Sequence, residues 1–382
     1  MNDNFIPNIY FSDYFGISPK IIEEYGAFNI SLLNDLPLFV DPFLLFNSSH
    51  DHYQRLHSDM IRYLRFLRDK SIDGNVNRGL LLGWYVFSEI KQNWLGFSRV
   101  GNKGSGLGLK FAYALHENLG KVFSNFGREK ITQGSHLEKL TLISEGVGRD
   151  NISDFTTNLI KRYLLEYTQT FAQNCIQRNH RKVFHVRRVQ FDYDREKWMS
   201  GEFDLPCFNG DYIILTPLDI LTKDEIWINR DDMVNDYSRI VDAVPNEQLR
   251  AEINNYLERE IPKDAREKER RDAVARTYRQ FPELIEHFIR YKEENGDEAV
   301  AISDVKVEES KWLYIDQVTR FVHDLFSNTS FYNNSGDTLE EARARVRFMK
   351  HVIENQDGYR LFYVNDEPIK RESDLQLIFK FT

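Results

Sequence analysis

The stretch NISDFTTNLIKRYLLEYTQTFAQNC, residues 151–175, sets Ile152, Phe155, Leu159, Tyr163, Tyr167, Phe171 and Cys175 three or four positions apart. That spacing gathers side chains on one face of a helix, whereas a strand alternates every two, so it predicts a single amphipathic helix. Strands are expected after it: Lys182 to Tyr193 and Gly210 to Thr216 (GDYIILT) are rich in β-branched and aromatic residues, the second bounded by Gly210 and Pro217. Before it, Pro37 to Phe46 (PLFVDPFLLF) reads as a strand or extended segment broken by Pro42, and His52 to Asp69 as an amphipathic helix. Residues 1–245 thus predict a mixed α/β unit, and the whole chain a helix-rich α+β or α/β protein.

At 382 residues the chain has room for roughly two or three compact units. With 41% hydrophobic and 29% charged residues it is neither a disordered composition nor a membrane one. The 28 Phe and 19 Tyr predict aromatic-rich cores with tyrosine hydroxyls at wet edges. No apolar run approaches the ~18 residues of a membrane helix. The start, MNDNFIPNIYFSDYFG, lacks the basic and apolar segments of a secretory signal, so a cytoplasmic location is expected by default. Cys175 and Cys207 are too few for a disulfide framework or a paired-cysteine zinc site. A net charge of −9 argues against a basic DNA-coating protein and leaves local basic patches open.

From 246 to 298 acids and bases mix closely, as in REIPKDAREKERRDAVARTYR (259–279), which predicts a solvated helical arm able to meet a protein partner. Residues 299–382 read as a small C-terminal α/β unit. There Thr338 and Glu341 fit a capping box, and Leu339, Ala342, Val346, Met349 and Ile353 predict the buried stripe of a helix over 339–355. A strand over 359–364 turns at Asn365-Asp366, and the strand-like end Ile378 to Thr382 reads as a truncation.

Four features carry candidate chemistry. In GNKGSGLGLK (101–110), Gly104, Ser105, Gly106 and Gly108 precede a helical pattern, an apparatus suited to phosphate through backbone amides and a helix N-terminus. It has neither the Walker lysine nor G-x-G-x-x-G spacing, and the D-x-G-x-G box that histidine-kinase-type ATPases need upstream is missing. A loop capping a core helix is its structural alternative. Next, Glu145, Asp150 and Asp154 cluster beside two glycines after Leu140 to Ile143, read as the end of a strand; oxygen ligands of this kind suit Mg²⁺ or Mn²⁺. Asp150 or Asn151 as a helix N-cap is the plainer alternative. The spacing of a nuclease (D/E)-x-K triplet occurs at Glu89-Ile90-Lys91, Asp304-Val305-Lys306 and Glu309-Ser310-Lys311; the second is best placed, because Ala299 to Ile302 reads as a strand before it. Last, Arg181, Lys182, Arg187 and Arg188 interleave with Phe184 and two histidines, the footprint of a nucleic-acid backbone contact, unless they pair with nearby acids. No HExxH or G-x-S-x-G motif is present.

Three stretches, GNKGSGLGLKF (101–111), GRDNISDFTTNLI (148–160) and DGYRLFYVNDEPIKRESDLQL (357–377), together resemble a largely uncharacterised group of bacterial proteins. Longer members of that group continue into a restriction-endonuclease-like PD-(D/E)XK domain of the kind used against phage. The resemblance implies DNA-directed nuclease or defence activity, with the catalytic D…E-x-K strand falling beyond Thr382. The resulting expectation is a cytoplasmic, nucleic-acid-associated defence protein, a metal-dependent nuclease or a nuclease-linked module. Asp150, Asp154 and Glu145 would be catalytic with Mg²⁺ or Mn²⁺ on the two aspartates, and Arg181, Lys182, Arg187 and Arg188 would hold DNA. A non-enzymatic scaffold, or a nucleotide-binding protein using the glycine loop, are the rival readings.

Overall fold

The computed structural model describes residues 9–96, 107–122, 126–127, 129–143, 147–328, 338–355, 359, 362–364 and 367–369. It is a helix-rich α+β fold: every pairing between named strands is antiparallel, which removes the wound α/β alternative among the described residues.

Two short helices open the fold, α1 (Phe11–Phe15), stopped by Gly16 at φ +62, and α2 (Pro19–Glu24), begun by Pro19. The buried strand β1 (Leu38–Val40) follows. Pro42 does not break an extended segment, as expected, but starts a helix, α3 (Pro42–Asn47); Asp41 caps it by accepting the Phe43 N–H at 2.9 Å. The expected helix after it is α4 (Asp51–Asp73), which buries Tyr53, His57, Met60, Tyr63, Leu64 and Leu67 and ends at Gly74, φ +69. Alongside α4 lies α6 (Leu109–Val122), which in turn meets α5 (Arg78–Trp84). Leu140 to Ile143, read as a strand end, belongs instead to the short helix α7 (Lys139–Ile143).

The deciding stretch is helical but not one helix. It divides into α8 (Arg149–Leu159) and α9 (Lys161–Cys175), joined at Ile160 with φ −94 and ψ 10. Thr156 and Thr157 donate their hydroxyls back to the carbonyls of Ile152 and Ser153, a pattern that bends helices. Ser153 also accepts the Val40 N–H at 2.9 Å, seating α8 on β1. Two long strands then form a hairpin: β2 (Arg181–Asp192) is the expected one, and β3 (Lys197–Phe208) was hidden by Gly201 and Pro206. Of GDYIILT only β4 (Asp211–Tyr212) is a strand. Ile213, Ile214 and Leu215 are buried but extended singly, their N–H groups donating to Pro206 O, Gln92 O and the Thr168 hydroxyl. β5 (Leu221–Lys223) returns to pair with β1.

The expected solvated arm is a packed helical unit. Helices α10 (Arg230–Asn235), α11 (Tyr237–Asp242), α12 (Glu247–Glu260), α13 (Glu267–Gln280) and α14 (Glu283–Glu294) enclose a second core that also takes in Phe43 and Leu44 of α3. Apart from buried Lys292 and Glu293, most of its charges lie outward, while Ile253, Val274, Tyr278, Leu284, Ile285, Phe288 and Ile289 point in. Ala299 to Ile302, expected as a strand, lies in α15 (Gly296–Lys311), where Ala299, Ser303 and Val307 face inward at four-residue spacing. Both C-terminal triplets are thereby helical, and their lysines are committed: Lys306 pairs with Asp224 and Lys311 with Glu23.

A π-helical turn, Trp312–Gln317, and α16 (Val318–Asn328) bring the chain back to the first core, where the Tyr10 hydroxyl donates to the Tyr314 carbonyl. Tyrosines are not confined to wet edges: Tyr63, Tyr85 and Tyr278 are buried and donate to the carbonyls of Trp84, Leu67 and Met233. Helix α17 (Thr338–Asn355) forms where expected, but its stripe is not buried, with Leu339, Ala342 and Val346 exposed and Met349 and Ile353 only half-buried. Strands β6 (Tyr363–Val364) and β7 (Glu367–Pro368) pair beyond it; the turn at 365–366 and the strand expected over 378–382 lie outside the described residues.

Candidate functional site

Helix α8 is capped by Gly148, whose N–H donates to the Asn151 side chain at 3.1 Å, so neither Asp150 nor Asn151 is the N-cap residue. Asp150 and Asp154 stand four apart on one face of α8. Two other segments face them. Leu36 and Gly96 hold one: the Leu36 N–H donates to Trp94 O at 3.0 Å and the Gly96 N–H to Leu36 O at 2.9 Å, bringing Asp35 beside the loop after Trp94. The other is held by Asn158 of α8, whose amide donates to the Ser88 carbonyl at 3.0 Å and so seats Glu89.

Three carboxylates thus gather around Asp154, Asp150 from its own helix and Asp35 and Glu89 from the two distant segments. Burial, then Asp150, Glu89 and Asp35 in that order, push the Asp154 carboxyl from 3.8 up to about 8. Asp35 is buried and Glu89 half-buried, while Asp150 is exposed at the edge of a cleft of about 370 Å³ whose other walls include Gly148, Arg149, Glu225 and Asn229. Lys91 lies two residues past Glu89 on an exposed turn. Among the described residues no three His, Cys, Asp or Glu side chains form a ready-made coordination shell. The donor set itself, carboxylate oxygens at an open edge, is nevertheless what a hard divalent cation takes. The backbone runs close here: Gly96 has φ +111, and a Cβ on it would lie 3.4 Å from Asp150 Oδ1. Gly96→Ala should therefore destabilise the fold by about 1–3 kcal/mol in thermal denaturation.

The other expected site residues are scattered. Glu145, Gly104, Ser105 and Gly106 lie outside the described residues, and Gly108 is an exposed position just before α6. Arg181 is paired with Asp204 at 3.0 Å, the alternative foreseen for the basic stretch. Lys182 and Arg187 are exposed, and Arg188 turns inward onto Phe87 and Trp198. The four cations therefore do not form one surface. Asp35 was missed because no local pattern marks it, and Glu89 because its triplet is one of several in a charged chain.

A second polar group is structural. Where the helical unit meets the first core, fully buried Glu293 lies 2.8 Å from His136 Nε2 and accepts the Gln133 and Gly134 N–H groups at 2.7 and 3.0 Å. Burial and the neighbouring His136 push His57 down to about 3, keeping it neutral. Burial raises Asp41 to about 6 against N–H donors from Trp227 and Phe43.

No helix of the described residues is long and apolar enough to cross a membrane. Residues 338–382 match a second domain of unknown function, DUF8371. No curated protein and no solved structure matches the chain. Residues 16–229, which hold all four clustered carboxylates, match the domain of unknown function DUF8370, and with more than half its length in that match the chain belongs to this family.

Proposed function

We propose that the protein is a divalent-metal-dependent nuclease, acting in the cytoplasm as the cutting or nuclease-linked component of a bacterial anti-phage system. The observation that carries this reading is the convergence of Asp35, Glu89, Asp150 and Asp154, with Asp154 made proton-avid in the neutral range. Like charges brought together in a half-buried place are costly unless a proton or a cation joins them. Asp150 and Asp154, with Glu89, would hold Mg²⁺ or Mn²⁺, which when bound polarises a phosphoryl oxygen and acidifies a water. Asp154 would release its proton to solvent where a cation is held and take one up again where none is. Glu89-Ile90-Lys91 has the spacing of a nuclease triplet and lies at the cluster, unlike the helical triplets of α15. The defence role rests on the resemblance of the three stretches named above.

The test is cleavage of supercoiled and linear DNA, with RNA alongside, in Mg²⁺ or Mn²⁺. Cutting by the wild type should fall by about 10²-fold or more in Asp154→Asn and Glu89→Gln, each still folded. A folded wild type that cuts neither substrate would reject the nuclease and leave a binding or scaffold role.

A further inference from the structure

Arg188 sits at the irregularity in the β2–β3 ladder, between Val186 and Gln190, with φ +55. A non-glycine residue holds that left-handed backbone only when its surroundings fix it. Here the conformation turns the side chain inward, its guanidinium carbon 5.1 Å from the Phe87 ring centre and 5.3 Å from that of Trp198. Two aromatic rings hold the cation, yet its Nε and Nη2 are buried and meet no hydrogen-bond acceptor among the described residues. Such N–H groups, charged and withdrawn from water, are expensive to leave unmet.

A second cation lies beside it. Lys161, 9% exposed at the start of α9, donates to the Arg187 carbonyl at 3.1 Å. No carboxylate pairs with either Lys161 or Arg188 among the described residues. Burial and the adjacent Arg188 together push the Lys161 ammonium down to about 8. Two neighbouring cations, Lys161 buried and Arg188 half-buried, are the inverse of the carboxylate cluster. Asp154 and Asn158 stand on α8, and Lys161 opens α9 just past the break at Ile160, seven residues on from Asp154. Phe87, on which Arg188 rests, is two residues from Glu89. A groove of about 420 Å³ is walled by Ile160, Arg162, Val189 and Trp198, which flank the two cations, although Lys161 and Arg188 do not themselves line it.

We propose that Arg188 and Lys161 form a phosphate-binding pocket, which seats a phosphate group of the substrate strand beside the carboxylate cluster. The inference deepens the nuclease reading and rests on it for the identity of the phosphate's carrier. Arg188 supplies planar N–H donors held by the two rings, and Lys161 adds a point charge that a bound phosphate would restore to full protonation.

Inorganic phosphate is the probe. Melting temperatures of the full chain are measured with rising phosphate against chloride at equal ionic strength, for the wild type, Arg188→Met, Arg188→Lys and Lys161→Met. The wild type should be stabilised by phosphate beyond the chloride control, Arg188→Met and Lys161→Met should lose that increment, and Arg188→Lys should keep part of it. Mn²⁺ stabilisation should survive in Arg188→Met, and its KM for DNA should rise about tenfold or more. If Arg188→Met does not fold, Lys161→Met decides. A wild-type phosphate response equal to chloride, or one undiminished in the folded variants, overturns the pocket. Phosphate binding without any DNA cleavage leaves the pocket standing and removes the nuclease reading, so the two fail separately.

Discussion

Asp154→Asn is expected to make the protein more stable and inactive at once. In the unfolded chain this carboxyl ionises near 3.8, whereas in the fold burial and its three acidic neighbours hold the proton up to about 8. The folded state therefore binds more protons across that window. The stability Asp154 contributes is fully present below 3.8 and is lost as pH rises through about 8. An amide mimics the protonated form and does not ionise, so the variant should match the wild type near pH 4 and exceed it at pH 8 by on the order of a few kcal/mol. Mn²⁺ should reverse the order, stabilising the wild type by about 2.7 kcal/mol at one hundred times its dissociation constant and leaving the variant unmoved. Melting curves at the two pH values, with and without metal, check both statements. A variant less stable than the wild type at pH 8 would show that Asp154 is ionised and well paired, and the cluster would lose its rationale as a cation site. Acid works against the fold through another group: the stability of neutral His57 is present above 6.5 and is lost as pH falls toward about 3. Opposite slopes from the two groups place the wild type's optimum between them.

The largest loss of stability is expected from Glu293→Ala. One buried carboxylate there accepts two backbone N–H groups, from Gln133 and Gly134 at the partly buried margin, and holds the buried His136. Removing it strands three polar groups in the interface between the helical unit and the first core, and should destabilise by about 3–5 kcal/mol in urea denaturation. Glu293→Gln keeps one acceptor oxygen and should lose less. Because the carboxylate joins 133–136 to α14, Glu293→Ala should also expose the 129–143 segment to native-state proteolysis. A change below about 1 kcal/mol would mean that water reaches these groups and that the interface is looser than its burial indicates.

Local periodicity made much of this fold legible, as α4, α9, β2 and α17 show, since each carries its pattern in adjacent residues. It misled where a local pattern serves a remote contact. The break at Ile160 follows from two threonines bonding backward, which no apolar stripe reveals. In 246–298 every turn of helix bears several charges, and the few inward residues, Ile253, Tyr278 and Phe288 among them, gain their meaning only against α10, α11 and α3. The stripe of α17 shows the converse, since periodicity places Leu339 and Val346 on a face but cannot supply something to cover it. The candidate site was half legible. Asp150 and Asp154 stood out because they share a helix face, while Asp35 and Glu89 join them through the Leu36–Gly96 and Ser88–Asn158 hydrogen bonds, which link positions far apart in sequence.

The bond from the Tyr10 hydroxyl to the Tyr314 carbonyl spans 304 residues, and Val307, Leu313, Val318 and Val322 close the same core that Ile9 and Phe11 open. On the ribosome the first of these side chains is made long before the last. At about 5–20 residues per second the gap is roughly 15–60 s, far longer than collapse or hairpin formation takes. During synthesis, Tyr10, Phe11 and Phe28 would wait with an uncovered apolar wall, while the helical unit formed from 230–294 could complete its own core first. The order of assembly would thus run against the order of the chain, and a nascent protein halted before residue 307 would be the form most in need of a chaperone.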